Sequence, residues 1–275
     1  MSLNMTADEY NRFRQTLQTA SGIMLGDGKE YLVTSRLRRL MERESLATVS
    51  DLLHAMSRNR SLQETVIDAM TTNETLWFRD DHPYRIFREK LLPELAAARR
   101  PFKIWSAACS TGQEPYSLSI EIEEFKRRNP GGLPSGERIL ATDISPSSLA
   151  AAKEGRYQQL AIRRGMSDQH LKNYFAPAGD DGWQINSQIK SRVEFRIQNL
   201  QQSFTLLGKF DVIFCRNVLI YFSADLKTDI LRRMHASLNP GGYLMLGASE
   251  AMNNLGDLYE MVQCHPGIIY RAKKL

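Results

Sequence analysis

Two acidic side chains lie where strand-like runs give way to helical patterns. Glu114 follows the apolar run "FKIWSAA" and precedes Pro115. Proline suits the first turn of a helix, where its missing N–H has no helical partner. Asp143 ends a second apolar run, "RILATD". A carboxylate at a helix start can meet a positive group such as an ammonium, and one at a strand tip can accept hydrogen bonds from both hydroxyls of a ribose.

Each carboxylate also has a simpler interpretation. Glu114 could only stabilise the helix terminus through the helix dipole. Asp143 could be the N-cap of a helix that begins in "SPSSLAAA", and this role is compatible with ribose binding.

The turn between the first run and its helix has a single glycine, Gly112. A dinucleotide needs the pattern G-x-G-x-x-G so that backbone N–H groups can close on a pyrophosphate, and that pattern is absent. Asp143 lies 31 residues after Gly112, farther than the ~20 residues of the dinucleotide fingerprint. The turn therefore favours a cofactor without phosphates. S-adenosylmethionine, an adenosine with an amino-acid tail and a sulfonium, is such a cofactor.

The second half of the chain alternates apolar runs with helical stretches, which is typical of an α/β domain around a mostly parallel sheet. Ligands of such sheets lie at the carboxyl ends of the strands. The turn-and-strand segment "LNPGGYLMLG" supports a class I methyltransferase over a dehydrogenase. The strand-like runs are "FKIWSAA", "RILATDI", "VEFRIQNL", "FDVIFCRNVLIYF", "GGYLMLG" and "GIIYRAK".

The first half contains only helix signals. "TADE" and "SLQE" match the capping box, and each precedes apolar residues at helical spacing. In "YLVTSRLRRLMER", Val33 and Leu37 can face inward while Arg36, Arg39 and Arg43 share another face. This arginine face is either a solvated surface or a docking surface for an acidic helix or for phosphates.

Composition sets the remaining limits. The 275 residues carry a net charge of +5, which fits a nucleic acid, an acidic protein partner or solubility alone. The three cysteines are far apart and form no CxxC pair, so we predict neither a disulfide framework nor a metal site. We find no apolar run of ~20 residues and no secretory signal, and predict a cytoplasmic protein without membrane insertion.

Five segments together resemble the chemotaxis receptor glutamate O-methyltransferases, the CheR family, in order from about residue 6 to 271. The resemblance implies an all-α N-terminal domain (residues 1–88) and an α/β, class I S-adenosylmethionine-dependent methyltransferase (Rossmann-like) domain (residues 89–275). The latter would contain a small antiparallel β-subdomain, inserted at about 155–192. The segments are "AMTTNETLWFRD", "WSAACSTGQEPYSLS", "LATDIS", "FDVIFCRNVLIYF" and "LGASE".

The resemblance also assigns roles to residues at matching motif positions. It implies that Glu114 binds the cofactor ammonium and Asp143 its ribose, and that Arg79 and Tyr221 orient the acceptor. Ala108 and Gln113 depart from the family pattern, where glycine and glutamate are expected. The full set of implied cofactor residues is Asn73, Thr75, Arg79, Glu114, Asp143, Asn199, Leu200, Asn217 and Val218.

The implied activity is methylation of chemoreceptor glutamates to methyl esters, with release of S-adenosylhomocysteine, in bacterial receptor adaptation. A glutamate with pKa ~4.3 is already an anionic nucleophile at neutral pH and needs no general base. Arg79 should therefore orient the acceptor rather than clamp it. Alternatives are an interdomain salt bridge for Arg79 and a core position for Tyr221. The partner would be the cytoplasmic signalling domain of a receptor, and we predict a monomer.

About 55 residues separate Asp143 from Asn199, too many for one crossover, so a subdomain is inserted. Trp183 and Ile185 alternate before a second alternating run that starts at Val193 and includes Phe195 and Ile197, which suggests an antiparallel ribbon. In some relatives this subdomain captures a receptor tail peptide as an added strand. A structural flap is the alternative.

Two other functions compete with this one. An RNA methyltransferase would explain the basic charge, but we find no RNA-binding module with interleaved aromatics, and we predict no nucleic-acid partner. A non-catalytic cofactor sensor would lack the acceptor site, which Arg79, Asn217 and Tyr221 argue against.

Overall fold

The computed structural model describes residues 5–133, 136–252 and 254–274. Four amphipathic helices form the first part and pack around one apolar core that runs from Tyr10 to Met70. Val33 and Leu37 face this core, as predicted. The helices are α1 (Ala7–Ser21), α2 (Glu30–Arg43), α3 (Val49–Arg58) and α4 (Arg60–Met70).

Polar side chains cap the starts of α1, α3 and α4. The predicted capping box of Thr6 and Glu9 is confirmed at α1. The predicted box in "SLQE" is wrong, because Asn59 caps α4 by accepting a hydrogen bond from the Leu62 N–H. The helix begins at Arg60, so Ser61 already lies inside its first turn. Glu64 instead pairs with Arg60 on the helix surface.

Residues after α4 lead into the α/β part. Helices α5 (His82–Ile86) and α6 (Leu92–Ala97) flank a π-helical turn, Phe87–Leu91. Their apolar side chains pack on the sheet rather than on the four-helix core. The division of the chain at residue 88 therefore stays a proposal.

The main sheet has seven strands in the order β6-β2-β1-β7-β8-β10-β9. The first five are parallel, and the hairpin of β9 and β10 adds an antiparallel edge through β10. This is a class I methyltransferase sheet of the Rossmann-like type. Its strands are β1 (Lys103–Ala107), β2 (Arg138–Asp143), β6 (Val193–Ile197), β7 (Phe210–Cys215), β8 (Leu238–Leu246), β9 (Tyr259–Cys264) and β10 (Gly267–Ala272).

Helices cover both faces of this sheet. Alternate residues of one strand point to opposite faces, so Val212 and Phe214 pack beneath α7 while Ile213 and Cys215 pack against α12. The near-continuous apolar runs of the sequence follow from burial on both faces. The helices of this part that lie outside the insertion are α7 (Gln113–Arg128), α8 (Pro146–Glu154), α11 (Ser187–Lys190) and α12 (Ala224–Ser237).

An antiparallel three-stranded sheet, hereafter the small sheet, lies between α8 and α11 in the order β3-β5-β4. The inserted β-subdomain is thus confirmed, but its predicted ribbon is wrong in part. Trp183 lies in β5, whereas the run from Val193 to Ile197 forms β6, parallel to β2 in the main sheet. Alternation indicates a strand without naming its partner. The insertion comprises β3 (Arg156–Gln158), α9 (Gln159–Arg163), α10 (Asp168–Tyr174), β4 (Phe175–Pro177) and β5 (Gly182–Ile185).

No helix in the described ranges has both the length and the apolar character that crossing a membrane requires.

Candidate active site

A cleft lies between the helical part and the carboxyl ends of the sheet strands. It is lined by Ser21 at the end of α1 and Ile23 just after it, by residues 70–79 from the last residue of α4 onward, by the loop after β1, by the ends of β2 and β6, and by the loop after β7. The structure brings together every predicted cofactor and acceptor residue in this cleft. They are Asn73, Thr75, Arg79, Glu114, Asp143, Asn199, Leu200, Asn217, Val218 and Tyr221.

The loop from β1 to α7 is a tight turn with three residues in the left-handed region. Their φ angles are +56° at Ala108, +50° at Ser110 and +94° at Gly112. A Cβ at Gly112 would lie 2.9 Å from the Ala152 Cβ, so only glycine fits there. Ala108, which departs from the family pattern, occupies a conformation that glycine adopts more readily. The single glycine is therefore explained by packing as well as by the turn.

Asp143 ends β2 and holds this loop. Its two carboxylate oxygens accept hydrogen bonds from the Ser110 N–H (2.7 Å) and the Ser145 N–H (2.9 Å). Ser145, and not Asp143, is the side-chain N-cap of α8. Burial raises the pKa of Asp143, and the backbone N–H groups oppose this shift. Because each carboxylate oxygen has two lone pairs, Asp143 keeps acceptor capacity toward the cleft.

Glu114 lies in the first turn of α7 and is part of a buried charge cluster. Its oxygens accept from the Ser106 hydroxyl (2.8 Å) and from Arg216 Nη1 (3.1 Å). Arg216, whose side chain is 1% exposed, also donates to Asp80 Oδ2 at 2.8 Å. Burial raises the pKa of Glu114, and Arg216 opposes the rise. Two carboxylates on one guanidinium leave one negative charge uncompensated.

The segment after α4 forms the opposite wall. The Asn73 carbonyl accepts a hydrogen bond from the Ser110 hydroxyl at 2.9 Å, which ties this wall to the β1–α7 loop. Arg79 Nη1 donates to the Glu74 carbonyl at 3.1 Å, and among the described residues it forms no salt bridge. Among residues 5–133, 136–252 and 254–274, the interdomain ion pair considered for Arg79 is thus not formed. Within the same described ranges, the Thr75 hydroxyl has no protein partner, so it is available to the cleft.

Asn199 and Leu200 close the cleft beyond β6. Asn199 Nδ2 donates to the Ala20 carbonyl (2.8 Å), and its Oδ1 accepts from the Gln201 N–H (2.9 Å). The Asn199 side chain therefore joins the helical part to the α/β part. Leu200 is buried and offers an apolar surface.

The loop after β7 carries Asn217, Val218 and Tyr221. Asn217 has a φ of +59°, in the left-handed region that asparagine tolerates. The Tyr221 carbonyl accepts from the Met24 N–H at 2.9 Å, and its ring packs partly on the main core. Its hydroxyl has no hydrogen-bond partner in the part of the chain that the structure describes, which leaves it free for a ligand in the cleft.

Comparison with known proteins identifies the family of this chain. The family described as "CheR methyltransferase, SAM binding domain" matches residues 73–268, and "CheR methyltransferase, all-alpha domain" matches residues 8–71. The chain belongs to the CheR methyltransferase family. S-adenosylmethionine is its cofactor, and it is a chemotaxis protein methyltransferase.

Full-length relatives agree with this assignment. The chain is 54% identical to chemotaxis protein methyltransferase 1 of Pseudomonas aeruginosa, over 96% of this chain and 98% of that protein. It is 53% identical to a chemotaxis protein methyltransferase of Vibrio anguillarum, over 99% of both. Identity to the chemotaxis protein methyltransferase of Salmonella typhimurium is 34%, over 92% of this chain and 87% of that protein.

The three arginines on the α2 face of this CheR methyltransferase have different surroundings. Arg39 and Arg43 are exposed on α2. Arg36 instead donates to the carbonyls of Met70 (2.6 Å) and Thr71 (2.9 Å), at the C-terminal end of α4. Its long side chain reaches these orphan carbonyls because α2 packs on α4. Arg36 thus holds one wall of the cleft and is not free in the way the helix spacing predicted.

Sequence reasoning missed two charged residues, Arg216 in the lining of the CheR cleft and Glu250 behind the loop after β7. Arg216 directly follows the six buried residues of β7, and a charge at that place was the available signal. Glu250, quoted in "LGASE" without a role, accepts four backbone N–H groups on its carboxylate. These come from Asn217 (2.7 Å), Val218 (2.9 Å), Leu219 (2.7 Å) and Gly247 (2.8 Å).

Glu250→Gln is expected to lower kcat for methyl transfer about 10-fold, since an amide group would face N–H donors and displace the loop that carries Tyr221. Steady-state kinetics at saturating cofactor measure this effect. Glu260→Gln, an exposed carboxylate on β9, is the matched control and should behave as wild type. Unchanged kcat in Glu250→Gln would show that the loop does not depend on this carboxylate.

Proposed function

We propose that this methyltransferase converts glutamate side chains of chemoreceptors to methyl esters. The observation that carries the proposal is the make-up of the cleft lining: as far as the structure describes it, the lining contains no histidine and no lysine, and its buried carboxylates Glu114 and Asp143 already accept hydrogen bonds from protein donors. Burial raises the pKa of the Cys109 thiol, which stays protonated. A hydroxyl or amine acceptor would need a base, whereas a glutamate is already ionised.

The donor set of the cleft fits the cofactor. The uncompensated negative charge beside Glu114 suits its ammonium, and the spare lone pairs of Asp143 suit its ribose hydroxyls. Leu200 offers an apolar surface for adenine, and the backbone around Asn217 and Val218 lies on the same wall as Tyr221. We assign Asn73, Thr75 and Arg79 to the methionyl part. Because the side chain of Asn199 already has partners at both ends, we assign it a role through its backbone.

The bound cofactor supplies an electrophilic methyl group on a sulfonium. A glutamate oxygen forms a bond to the methyl carbon while the sulfur–methyl bond breaks and its electron pair stays on sulfur, so no proton moves. The protein's part is to aim the carboxylate and to exclude water, which together give a large share of the rate. Arg79 and Tyr221 are the orienting groups, because both present unengaged donors to the cleft.

Arg39 and Arg43 are the proposed docking residues for the acidic surface of the receptor signalling domain. Arg39→Glu with Arg43→Glu is expected to raise KM for a receptor fragment about 10-fold at low salt, and less at high salt, since exposed charges are screened. Calorimetry with S-adenosylhomocysteine should show unchanged cofactor affinity.

Arg38→Glu is the matched control, because Arg38 is exposed on the other side of α2. Arg38→Glu changes half as much charge as the double variant, so a KM increase of about 3-fold, half of the 10-fold effect in free energy, would mean that net charge, and not the arginine face, attracts the receptor. Arg36→Ala, in contrast to the Arg39 and Arg43 changes, is expected to weaken cofactor binding, because Arg36 donates hydrogen bonds to the Met70 and Thr71 carbonyls at the start of the cleft wall.

We propose that a receptor tail peptide adds to the small sheet as a further strand and so acts as a tether. The strands β3 and β4 are its outer strands, each with one partner strand among the described residues. These open edges support the proposal, because an outer strand has backbone groups free to pair with an added strand. A tether would raise the local concentration of the acceptor glutamate without new contacts at the cleft.

The test of the proposed function is methyl transfer from radiolabelled S-adenosylmethionine to a purified receptor signalling fragment. Label should enter the fragment and leave as volatile methanol on mild alkaline treatment, as an ester does. The same assay on bulk RNA should give no incorporation. Alkali-stable label on the receptor, or label on RNA, would contradict glutamate esterification.

A further inference from the structure

The small sheet contacts the β1–α7 loop directly. Tyr157 of β3 is 5% exposed, and its hydroxyl donates to the Thr111 carbonyl at 2.9 Å. A Cβ placed on Gly112 would lie 3.1 Å from the same hydroxyl oxygen, so the two residues are in close contact. The loop that Asp143 holds from one side is therefore held by Tyr157 from the other.

The small sheet also contacts the opposite wall of the cleft through Trp77. This side chain is 1% exposed and packs edge-on against Tyr157 (ring centroids 4.8 Å apart) and Phe175 (5.3 Å). Trp77 lies between Thr75 and Arg79, two residues assigned to the cofactor. Because Trp77 is fixed in the aromatic cluster of the small sheet, it also fixes the position of the backbone that carries Thr75 and Arg79.

The turn between α9 and α10 contacts the backbone of Trp77. The Trp77 N–H donates to the Arg164 carbonyl at 3.1 Å. Gly165 has a φ of +101°, and a Cβ there would stand 2.0 Å from the Trp77 carbonyl oxygen. Arg164 also pairs with Glu74 at 2.8 Å, but both side chains are exposed and the pair contributes little. Buried aromatic packing and backbone contact therefore make this connection.

We propose that the small sheet is a structural part of the cofactor site, in which Tyr157 and Trp77 are positioning residues. Tyr157 connects the two walls, because one side chain touches the loop after β1 and the segment after α4. The inference rests on the proposed placement of the cofactor in the cleft. It gives the inserted subdomain a role in cofactor affinity that is separate from any receptor tether.

Tyr157→Phe tests this proposal with the smallest change, because it keeps the ring on Trp77 and removes only the hydroxyl. Loss of one hydrogen bond is expected to weaken binding of S-adenosylhomocysteine about 3- to 10-fold in calorimetry. KM for S-adenosylmethionine should rise by the same factor while kcat at saturating cofactor stays unchanged. A purely stabilising residue would lower the unfolding temperature of the free protein and leave KM unaltered.

Tyr259→Phe is the matched control. Tyr259 of β9 is also a buried tyrosine whose hydroxyl donates to a backbone carbonyl, that of Leu231 at 2.8 Å, but it lies outside the small sheet and does not line the cleft. The change removes one hydrogen bond of the same kind, so the dissociation constant should not change. An unchanged constant in Tyr157→Phe, or equal increases in both variants, would overturn the proposal.

Hydrogen exchange on the unmodified protein gives a second test that does not depend on a variant. Adding S-adenosylhomocysteine should slow exchange in β3 and at the Trp77 amide as well as in the cleft loops. Protection restricted to the cleft loops would overturn the proposal. If Asp143→Ala abolishes cofactor binding while Tyr157→Phe leaves it intact, this inference fails and the cofactor placement stands.

Discussion

Asp143→Ala is expected to weaken binding of S-adenosylhomocysteine by about 3 kcal/mol, roughly 100-fold in the dissociation constant. The change removes the acceptor proposed for the ribose hydroxyls. It also leaves the buried N–H groups of Ser110 and Ser145 without their partner, and an unsatisfied buried donor is costly. Isothermal titration calorimetry on the folded variant measures the effect.

Asp68→Asn is the control for this prediction. Asp68 is a neighbouring carboxylate on α4 that contacts the Ser145 and Ser147 hydroxyls but does not line the cleft. It should leave the affinity within about 2-fold of wild type, a difference of roughly 0.4 kcal/mol. Equal affinity of wild type and Asp143→Ala would remove Asp143 from the site.

Tyr221→Phe is expected to lower kcat for receptor methylation about 10- to 100-fold, because the hydrogen bond proposed to orient the acceptor is lost and misplacement of reacting groups is costly. Binding of S-adenosylhomocysteine should change little, since the ring and its packing on the main core are retained. Single-turnover kinetics at saturating cofactor and receptor separate the chemical step from binding.

Tyr31→Phe serves as the control for Tyr221→Phe, because Tyr31 is an exposed tyrosine on α2. Wild-type kcat is expected there. If Tyr221→Phe also retains wild-type kcat, Tyr221 is a core aromatic only. If it loses cofactor affinity and kcat in proportion, it belongs to the cofactor site and not to the acceptor.

Much of the architecture was predictable because burial on both faces of a parallel sheet leaves continuous apolar runs. This signal located β1, β2, β7, β8 and β10. Strand β9 gave no such signal, since it lies at the sheet edge and most of its side chains are at least partly exposed. The run that forms β6 was also located as a strand, but its alternation was in addition assigned to the antiparallel ribbon, whereas β6 pairs with β2 in the main sheet. Partner choice depends on tertiary contacts that local alternation does not contain.

The cleft residues at strand ends were predictable from chemistry and family resemblance, but their partners were not. Asp143 was predicted to face a ribose, and the structure adds that its carboxylate accepts hydrogen bonds from two backbone N–H groups. Glu114 was predicted to meet an ammonium, and the structure adds Arg216, a residue 102 positions away in sequence. Long-range pairs of this kind have no periodicity to detect. Glu250 belongs to the same class, because its four partners are backbone groups that carry no sequence signature.

The central claim is that an acceptor already ionised at neutral pH is methylated without a general base. The single-turnover rate, measured from pH 5 to 9 at saturating cofactor with a receptor signalling fragment, tests this claim most directly. We predict a plateau above about pH 6 and a decline only toward the acceptor glutamate pKa of ~4.3, where the nucleophile becomes protonated. A rate that instead rises through neutral pH, with an apparent pKa near 7 or higher, would contradict the account because it would reveal a base that must first lose its proton.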